Sequence, residues 1–157
     1  MHKECINIPN NVERMEMDME HVLNDDCIFC KIIKGDIPSR TVYEDDDYKA
    51  ILDVSPASRG HVIILPKHHV ANVFEADEEV YAGAMKVAKK IAAALKKVFN
   101  CDGINILQNN GEVAGQTVFH LHVHVIPRYK DDTVNITWKQ HDDFDLDKVF
   151  EEIKKEL

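Results

Sequence analysis

The longest regular pattern of apolar residues lies between positions 78 and 99. Apolar side chains recur there at spacings of three or four, which places them on one face of an α-helix. These residues are Val80, Ala84, Val87, Ile91, Leu95 and Val98. Asp77 stands where an N-cap is expected, and Lys96 and Lys97 lie near the C-terminal end, where cations interact favourably with the helix dipole. The pattern predicts one long amphipathic helix.

Shorter apolar runs, rich in β-branched residues and bounded by turn-forming residues, predict strands rather than helices. The run at 61–65 shows this best, because Gly60 and Pro66 bound it. The predicted strands cover 41–44, 48–53, 61–65, 104–108 and 118–126. The first two are close enough along the chain to form a hairpin.

Two helical segments flank these strands. A short apolar segment begins after Cys27, and a helical pattern runs from Leu146 to Leu157. The elements lack the regular strand and helix alternation of a parallel α/β fold, so the prediction is α+β, with a mostly antiparallel sheet of about five strands. Residues 1–26 show no sustained helical periodicity, and methionine alternates with acidic residues over 15–20. We therefore predict a flexible, acidic N-terminal extension over 1–26 and a single domain over 27–157.

The composition argues against a membrane-spanning protein and against a nucleic-acid-binding protein. Of 157 residues, 45% are hydrophobic and 30% charged, and no apolar run approaches the roughly 20 residues needed to span a membrane. The formal charge is -9, and no segment supplies the basic face expected of a nucleic-acid-binding protein. The first residues do not resemble a signal peptide, so we expect a cytoplasmic protein without nucleic-acid or membrane partners.

Three histidines alternate with apolar residues in the middle of the last predicted strand. In a strand, His120, His122 and His124 would project from one face. This pattern alone fits a catalytic row and a metal site equally well. A chance cluster and a solvent-exposed sheet face are the other two interpretations. The preceding residues 109–117 favour catalysis, because their glycines, amides and hydroxyl suit phosphate and sugar binding.

Cys27 and Cys30 have the spacing of a zinc knuckle. Two other interpretations compete with zinc: a redox dithiol and a pair of free core thiols. The first lacks the surrounding βαβ pattern that such dithiols have.

The sequence at 115–128 closely resembles the histidine-triad (HIT) superfamily, whose pattern is three histidines alternating with apolar residues. Further similarity occurs at 27–33, 52–56 and 60–69, so the resemblance covers about residues 27–130 in the family's order. The first 26 residues have no counterpart in that pattern.

The resemblance implies a HIT-like fold and a mechanism. The middle histidine, His122, would attack the α-phosphorus of a nucleoside phosphate derivative and form a covalent nucleotidyl-histidine, which water then hydrolyses. His120 and His124 would align this imidazole and contact phosphate oxygens. Gln116 and Thr117 match positions on the phosphate and leaving-group side, and His61 matches an upstream histidine beside the triad.

The resemblance also implies a nucleotide pocket. Asp53 matches the carboxylate that holds the ribose hydroxyls, although an aspartate before Ser55 and Pro56 equally suits a turn. The apolar slot for the base would be built from Ile28, Phe29 and Val54, of which Phe29 would otherwise pass for core. Asn109 matches a polar contact to phosphate or sugar, and an ordinary loop asparagine is its alternative.

Family members that carry the cysteine pair bind a structural zinc ion. By resemblance, its ligands would be Cys27, Cys30, His69 and His120, with His68 as an alternative to His69. Four protein ligands leave no open position, so no catalytic metal is required. Family members are typically homodimers, and we expect one here.

The implied activity is hydrolysis of purine nucleoside 5′-phosphoramidates or related adenylylated compounds. The alternatives are a dinucleoside polyphosphate hydrolase, a nucleotide-binding regulatory module with little turnover, and a metal-dependent hydrolase.

Overall fold

A computed structural model describes residues 22–157 of the chain. Its five strands form one sheet in the order β1-β2-β3-β5-β4, and every neighbouring pair is antiparallel. The strands are β1 (Thr41–Glu44), β2 (Tyr48–Leu52), β3 (Val62–Pro66), β4 (Gly103–Leu107) and β5 (Val123–Arg128). The helices are α1 (Ile28–Lys34), α2 (Glu78–Phe99) and α3 (Leu146–Lys154), and a 3₁₀ turn covers Glu112–Ala114. The predicted α+β class, antiparallel sheet and long helix are confirmed.

The predicted strand at 118–126 was wrong at its beginning, because β5 starts only at Val123. Pairing between β3 and β5 ends at the pair Ile64 and Val123. Beyond it, the backbone N–H of Leu121 donates to Val70 O at 2.7 Å. His120 and His122 therefore lie on a short segment that leads into the strand and is held by a loop contact.

The two faces of the sheet pack against different helices. Helix α2 packs its buried face, which includes Val87 and Ile91, against one side of the sheet. These residues form one core cluster with Val123 and Val125 of β5. On the other side, Ile51, Ile63 and Leu65 pack against Ile32 of α1. His124 pairs with Ile63 and so shares this second face. The histidines therefore lie on the side of α1, away from α2.

The first described residues and the C-terminal helix differ in their contacts with the rest of the domain. Residues 1–21 of the predicted N-terminal extension lie outside the described residues, whereas Val22 O accepts a hydrogen bond from His69 N at 2.9 Å. Helix α3 has no buried residue, and Leu146, Phe150 and Ile153 on it are more than half exposed. Within 22–157, no helix is both long and apolar enough to cross a bilayer.

Gly83 allows α2 to approach β2, and replacing it by alanine is expected to destabilise the protein. A Cβ at this position would lie 2.1 Å from the Tyr48 hydroxyl. Tyr48 is buried and donates to Val80 O at 2.8 Å, so its ring has little freedom to move. Alanine normally stabilises a helix by about 1 kcal/mol over glycine, but overpacking costs about 1–3 kcal/mol and the hydrogen bond adds about 1 kcal/mol. We expect the free energy of unfolding, measured with denaturant, to fall by about 1–3 kcal/mol.

The control for this measurement is Ala93→Gly on the exposed face of α2. There, the glycine variant should be less stable by about 1 kcal/mol, as helix propensity alone dictates. A Gly83→Ala protein as stable as wild type would contradict the close packing described here.

Candidate active site

The ring of His122 is buried and held in one orientation. Its Nδ1 lies 2.7 Å from the carbonyl oxygen of His120. Because a carbonyl can only accept, Nδ1 carries the proton and donates it, which leaves the lone pair on Nε2. Phe29 of α1 packs its ring edge-on against His122, with centroids 5.2 Å apart. Nδ1 of His122 is thus held by the backbone, and Nε2 has the lone pair that nucleophilic attack requires.

Two more histidines adjoin this ring. His124 lies beside His122, with ring centroids 4.9 Å apart. His61, which immediately precedes β3, is buried, and its Nε2 lies 2.9 Å from Nδ1 of His124. The structure therefore brings together three of the four histidines predicted to be catalytic.

Burial keeps these rings neutral at neutral pH. It lowers the pKa of His122 and His61 below the ordinary value and lowers that of His124 to about 4, while the charge of Asp53 partly opposes the shift. A lowered histidine pKa means that the ring gains its proton only at more acidic pH. A neutral imidazole is the form with a free lone pair, which nucleophilic attack requires.

His120 points away from the other two, toward the cysteine pair. Its Nε2 donates to Pro66 O at 2.9 Å, so its Nδ1 offers a lone pair. That Nδ1 lies 3.6 Å from Sγ of Cys27 and 3.5 Å from Sγ of Cys30. In most metal-binding histidines, one ring nitrogen binds the metal and the other donates its N–H to a carboxylate, a backbone carbonyl or water.

His69 completes a group of four. Its Nδ1 lies 3.2 Å from Sγ of Cys30 and 3.2 Å from Nδ1 of His120. Ligands at about 2.1 Å (nitrogen) and 2.3 Å (sulfur) around a tetrahedral zinc ion would be separated by roughly 3.3–3.8 Å, close to these distances. Cys27, Cys30, His69 and His120 could therefore hold a metal ion. The neighbouring His68 is outside this group, and its Nδ1 is buried without a hydrogen-bond partner.

Asp53, the residue that follows β2, lies next to His61. One carboxylate oxygen accepts from Ser55 N at 2.8 Å, which is the turn that its sequence context also suggested. The other lies 3.6 Å from Nδ1 of His61. A carboxylate has lone pairs beyond those used here, so the turn does not prevent it from accepting ribose hydroxyls.

The residues predicted to hold the base differ in exposure. Phe29 is half-buried against His122, whereas Ile28 is 48% and Val54 89% exposed. Asn109 donates to Gly115 O at 3.5 Å, at the base of the glycine-containing loop. Thr117 is exposed on the segment leading to the histidines. Their roles in nucleotide binding stay predictions.

Gln116 has a structural position that its sequence context did not indicate. The side chain is buried, with Nε2 donating to Ala71 O at 2.7 Å and Val118 O at 3.1 Å. Its Oε1 accepts from Gly111 N at 2.9 Å. These contacts hold the 111–118 loop in place, so in this structure Gln116 supports the site rather than pointing a free amide at phosphate.

Comparison with known proteins gives matches to the HIT, or histidine triad, family. A family model described as "HIT domain" matches residues 34–131. A crystal structure of a HIT family member from Bacillus subtilis is 46% identical, with a TM-score of 0.80 over 85% of this chain and 98% of that chain. An adenosine 5′-monophosphoramidase of Candida albicans is 41% identical over 138 residues, which are 83% of this chain and 91% of the relative. A zinc-bound histidine triad family protein from Mycobacterium smegmatis is 39% identical, with a TM-score of 0.67 over 73% of this chain and 84% of that one.

Proposed function

The chain belongs to the HIT domain family, and on that premise we propose that it hydrolyses adenosine 5′-phosphoramidates or closely related adenylylated compounds through a covalent intermediate on His122. The observation that carries this proposal is the hydrogen bond from Nδ1 of His122 to His120 O, which directs the lone pair to Nε2. The similarity to an adenosine 5′-monophosphoramidase supports the choice of substrate.

The reaction proceeds in two displacements. Nε2 of His122 attacks the α-phosphorus, the bond from phosphorus to the amine nitrogen breaks, and the amine leaves with a proton taken from solvent. The ring is then a cation that keeps its N–H bond to His120 O. Water attacks the same phosphorus, the bond to Nε2 breaks, and the water proton returns to solvent. The products are the nucleoside monophosphate, the amine and a neutral His122.

The other residues of the site bind and orient the nucleotide. His124 contacts a phosphoryl oxygen, Asp53 accepts the ribose hydroxyls, and Thr117 and Asn109 contact the phosphate side. Phe29, Ile28 and Val54 flank the base. Gln116 positions the loop that carries Thr117, since its three hydrogen bonds hold residues 111–118.

We propose that Cys27, Cys30, His69 and His120 bind a structural zinc ion. The distances between their ligand atoms fit tetrahedral coordination, and a zinc-bound relative supports the choice of metal. The ion would link α1 to the segment that precedes β5 and so hold Phe29 against His122. Hydrolysis itself needs no second metal in this mechanism.

The protein is further proposed to act in the cytoplasm as a homodimer. A reducing compartment suits Cys27 and Cys30, which are free thiols in the structure. Strand β4 forms one edge of the sheet, which offers a strand for pairing with a second copy. The family resemblance supports the dimer.

A direct comparison of substrates tests the proposed activity. We expect kcat/KM for an adenosine phosphoramidate to exceed that for a diadenosine polyphosphate at least about tenfold, or about 1.4 kcal/mol in transition-state free energy. Both substrates are measured at one enzyme concentration, with His122→Asn as the background for each. A ratio reversed in favour of the polyphosphate would replace the phosphoramidase by the dinucleoside polyphosphate hydrolase.

A further inference from the structure

The side chains of Gln108 and Asn110 form a cyclic amide pair directly after β4. Nε2 of Gln108 donates to Oδ1 of Asn110 at 2.9 Å, and Nδ2 of Asn110 donates to Oε1 of Gln108 at 2.6 Å. A third group fixes the orientation of both amides, because the backbone N–H of Val73 donates to Oδ1 of Asn110 at 2.8 Å. A backbone N–H can only donate, so its partner must be the amide oxygen, and the rest of the pairing follows.

This amide pair holds the backbone of Asn109, the residue between its two members. Nε2 of Gln108 also donates to the backbone oxygen of Asn109 at 2.9 Å. The side chain of the next residue, Asn110, is bound to Val73. The amide of Asn109 is not held in this way, since its contact with Gly115 O is 3.5 Å long, at the limit of a hydrogen bond. The backbone of Asn109 is therefore fixed, while its amide can still bind a ligand.

The register of the sheet brings Asn109 to the level of the nucleophile. Leu107, the last residue of β4, pairs with His124 in antiparallel register. Asn109 follows Leu107 by two residues and His122 precedes His124 by two, so the two chains reach the same level there. Both chains also bind the segment 70–73, which keeps them together beyond the paired residues. Since opposite residues of a sheet share a face, the register places Asn109 on the face of the histidines.

We propose that Asn110 is a positioning residue that acts through Asn109: its amide pair with Gln108 presents the Asn109 amide as a preorganised donor to a phosphoryl oxygen. The inference rests on the proposed hydrolase function of the same site, in which Asn109 contacts the phosphate side. A donor that is already oriented costs no reorganisation when negative charge develops on that oxygen. Displacing such a group by about 1 Å can lower the rate about 10²-fold.

A direct contact between Asn110 and the ligand is the alternative to this positioning role. Oδ1 of Asn110 already accepts from Val73 N and from Nε2 of Gln108, which uses both of its lone pairs. Nδ2 already donates one N–H to Gln108, so only its second N–H could reach a ligand. A double-mutant cycle separates the two roles, because the effect of a direct contact persists when the Asn109 amide is removed.

Nucleotide binding measures the positioning without turnover. The affinity for adenosine monophosphate divided by the affinity for adenosine isolates the contribution of the phosphate, and calorimetry gives both. We expect Asn109→Ala to lower this ratio about tenfold, the size of one hydrogen bond to a charged group, and Asn110→Ala to lower it about fivefold. In the double variant, the ratio should equal that of Asn109→Ala within about twofold, because no amide is left to position. The affinity for adenosine alone should change little, which separates positioning from partial unfolding.

Turnover provides the second readout. Asn110→Ala should lower kcat for an adenosine phosphoramidate by about 10- to 10²-fold, but by less than about twofold when Asn109 is already alanine. Gln108→Ala removes the other half of the pair and leaves the contact with Val73, so it should lower kcat in the same way. Asn72→Ala is the matched control, since Oδ1 of Asn72 accepts from Phe74 N at 3.0 Å in the same loop as Val73. It should change neither the affinity ratio nor kcat.

Three results would overturn the proposal. The first is a wild-type affinity ratio in Asn109→Ala, and the second is a wild-type ratio in folded Asn110→Ala. The third is a loss in Asn110→Ala that is equally large when Asn109 is already alanine, which would show a direct contact instead. If Asn110→Ala does not fold, Gln108→Ala takes its place in the same cycle. The affinity ratios do not depend on turnover, so failure of the hydrolase assignment would be recognised separately by the substrate comparison.

Discussion

Replacing His122 by asparagine is expected to lower turnover of an adenosine phosphoramidate by at least about 10⁴-fold while nucleotide affinity changes only a few-fold. The asparagine amide can still donate to His120 O, where Nδ1 of the ring donates in the wild type. It has no nitrogen at the position of Nε2, so the covalent route is lost. The proposed contacts to the ribose and the base are not altered by the substitution, and these would provide the ground-state affinity. Single-turnover kinetics and calorimetric binding of adenosine monophosphate measure the two effects.

His141→Asn is the matched control for this substitution, because it makes the same chemical change at an exposed position near the C-terminus. It should leave both turnover and affinity unchanged. If His122→Asn retained turnover within about tenfold of wild type at equal substrate occupancy, histidine would not be the nucleophile. A metal-activated water would then become the better mechanism.

Replacing Cys27 by serine is expected to lower zinc content and thermal stability together. Cys27 is buried, and its thiolate would supply one of four ligands. A structural zinc ion contributes its binding free energy to folding, so its weakening should cost several kcal/mol. A loss of about 4 kcal/mol corresponds to a fall of about 10 °C in the melting temperature for a chain of this size. Metal analysis after dialysis and calorimetry of the same samples measure both quantities.

Cys101 offers a matched control for the serine substitution. It is also buried and a free thiol, but it does not belong to the group of four. Cys101→Ser should lower stability modestly through packing and leave one zinc ion per chain. Equal zinc content in Cys27→Ser and Cys101→Ser would eliminate the proposed site.

The elements with strong local patterns were the ones that the sequence predicted well. Helix α2 begins and ends as its apolar spacing indicates, because one continuous face is buried against the sheet. The start of β5 was not predictable in this way. The alternation of apolar residues and histidines continues through residues that are not paired with β3. The chain leaves the sheet there because Leu121 N donates to Val70 O, and Val70 is distant in sequence.

The chemistry of the site was predictable in residue types but not in hydrogen bonding. Alternation placed His120, His122 and His124 on one face of a strand, whereas in the structure His120 points toward the cysteine pair. The spacing of Cys27 and Cys30 suggested these two residues as zinc ligands. The proton positions depend instead on backbone groups, namely the carbonyls of His120 and Pro66. Every residue has these groups, so no side-chain pattern reveals which ones are used.

For the same reason, no pattern in the sequence indicated the structural role of Gln116. Its partners are three backbone groups, at Ala71, Gly111 and Val118, and one of them is 45 residues away in the chain. The family resemblance favoured His69 over the adjacent His68 as the metal ligand. In the structure, Nδ1 of His69 lies within 3.2 Å of Sγ of Cys30.

The stereochemical course at the α-phosphorus tests covalent catalysis by His122 most directly. One diastereomer of an adenosine 5′-phosphoramidothioate is hydrolysed in heavy-oxygen water, and the configuration of the product phosphorothioate is determined. Each in-line displacement inverts the phosphorus, so attack by His122 followed by attack of water predicts overall retention. This result does not require the intermediate to accumulate. Overall inversion would show a single displacement by water and would contradict the nucleophilic role of His122.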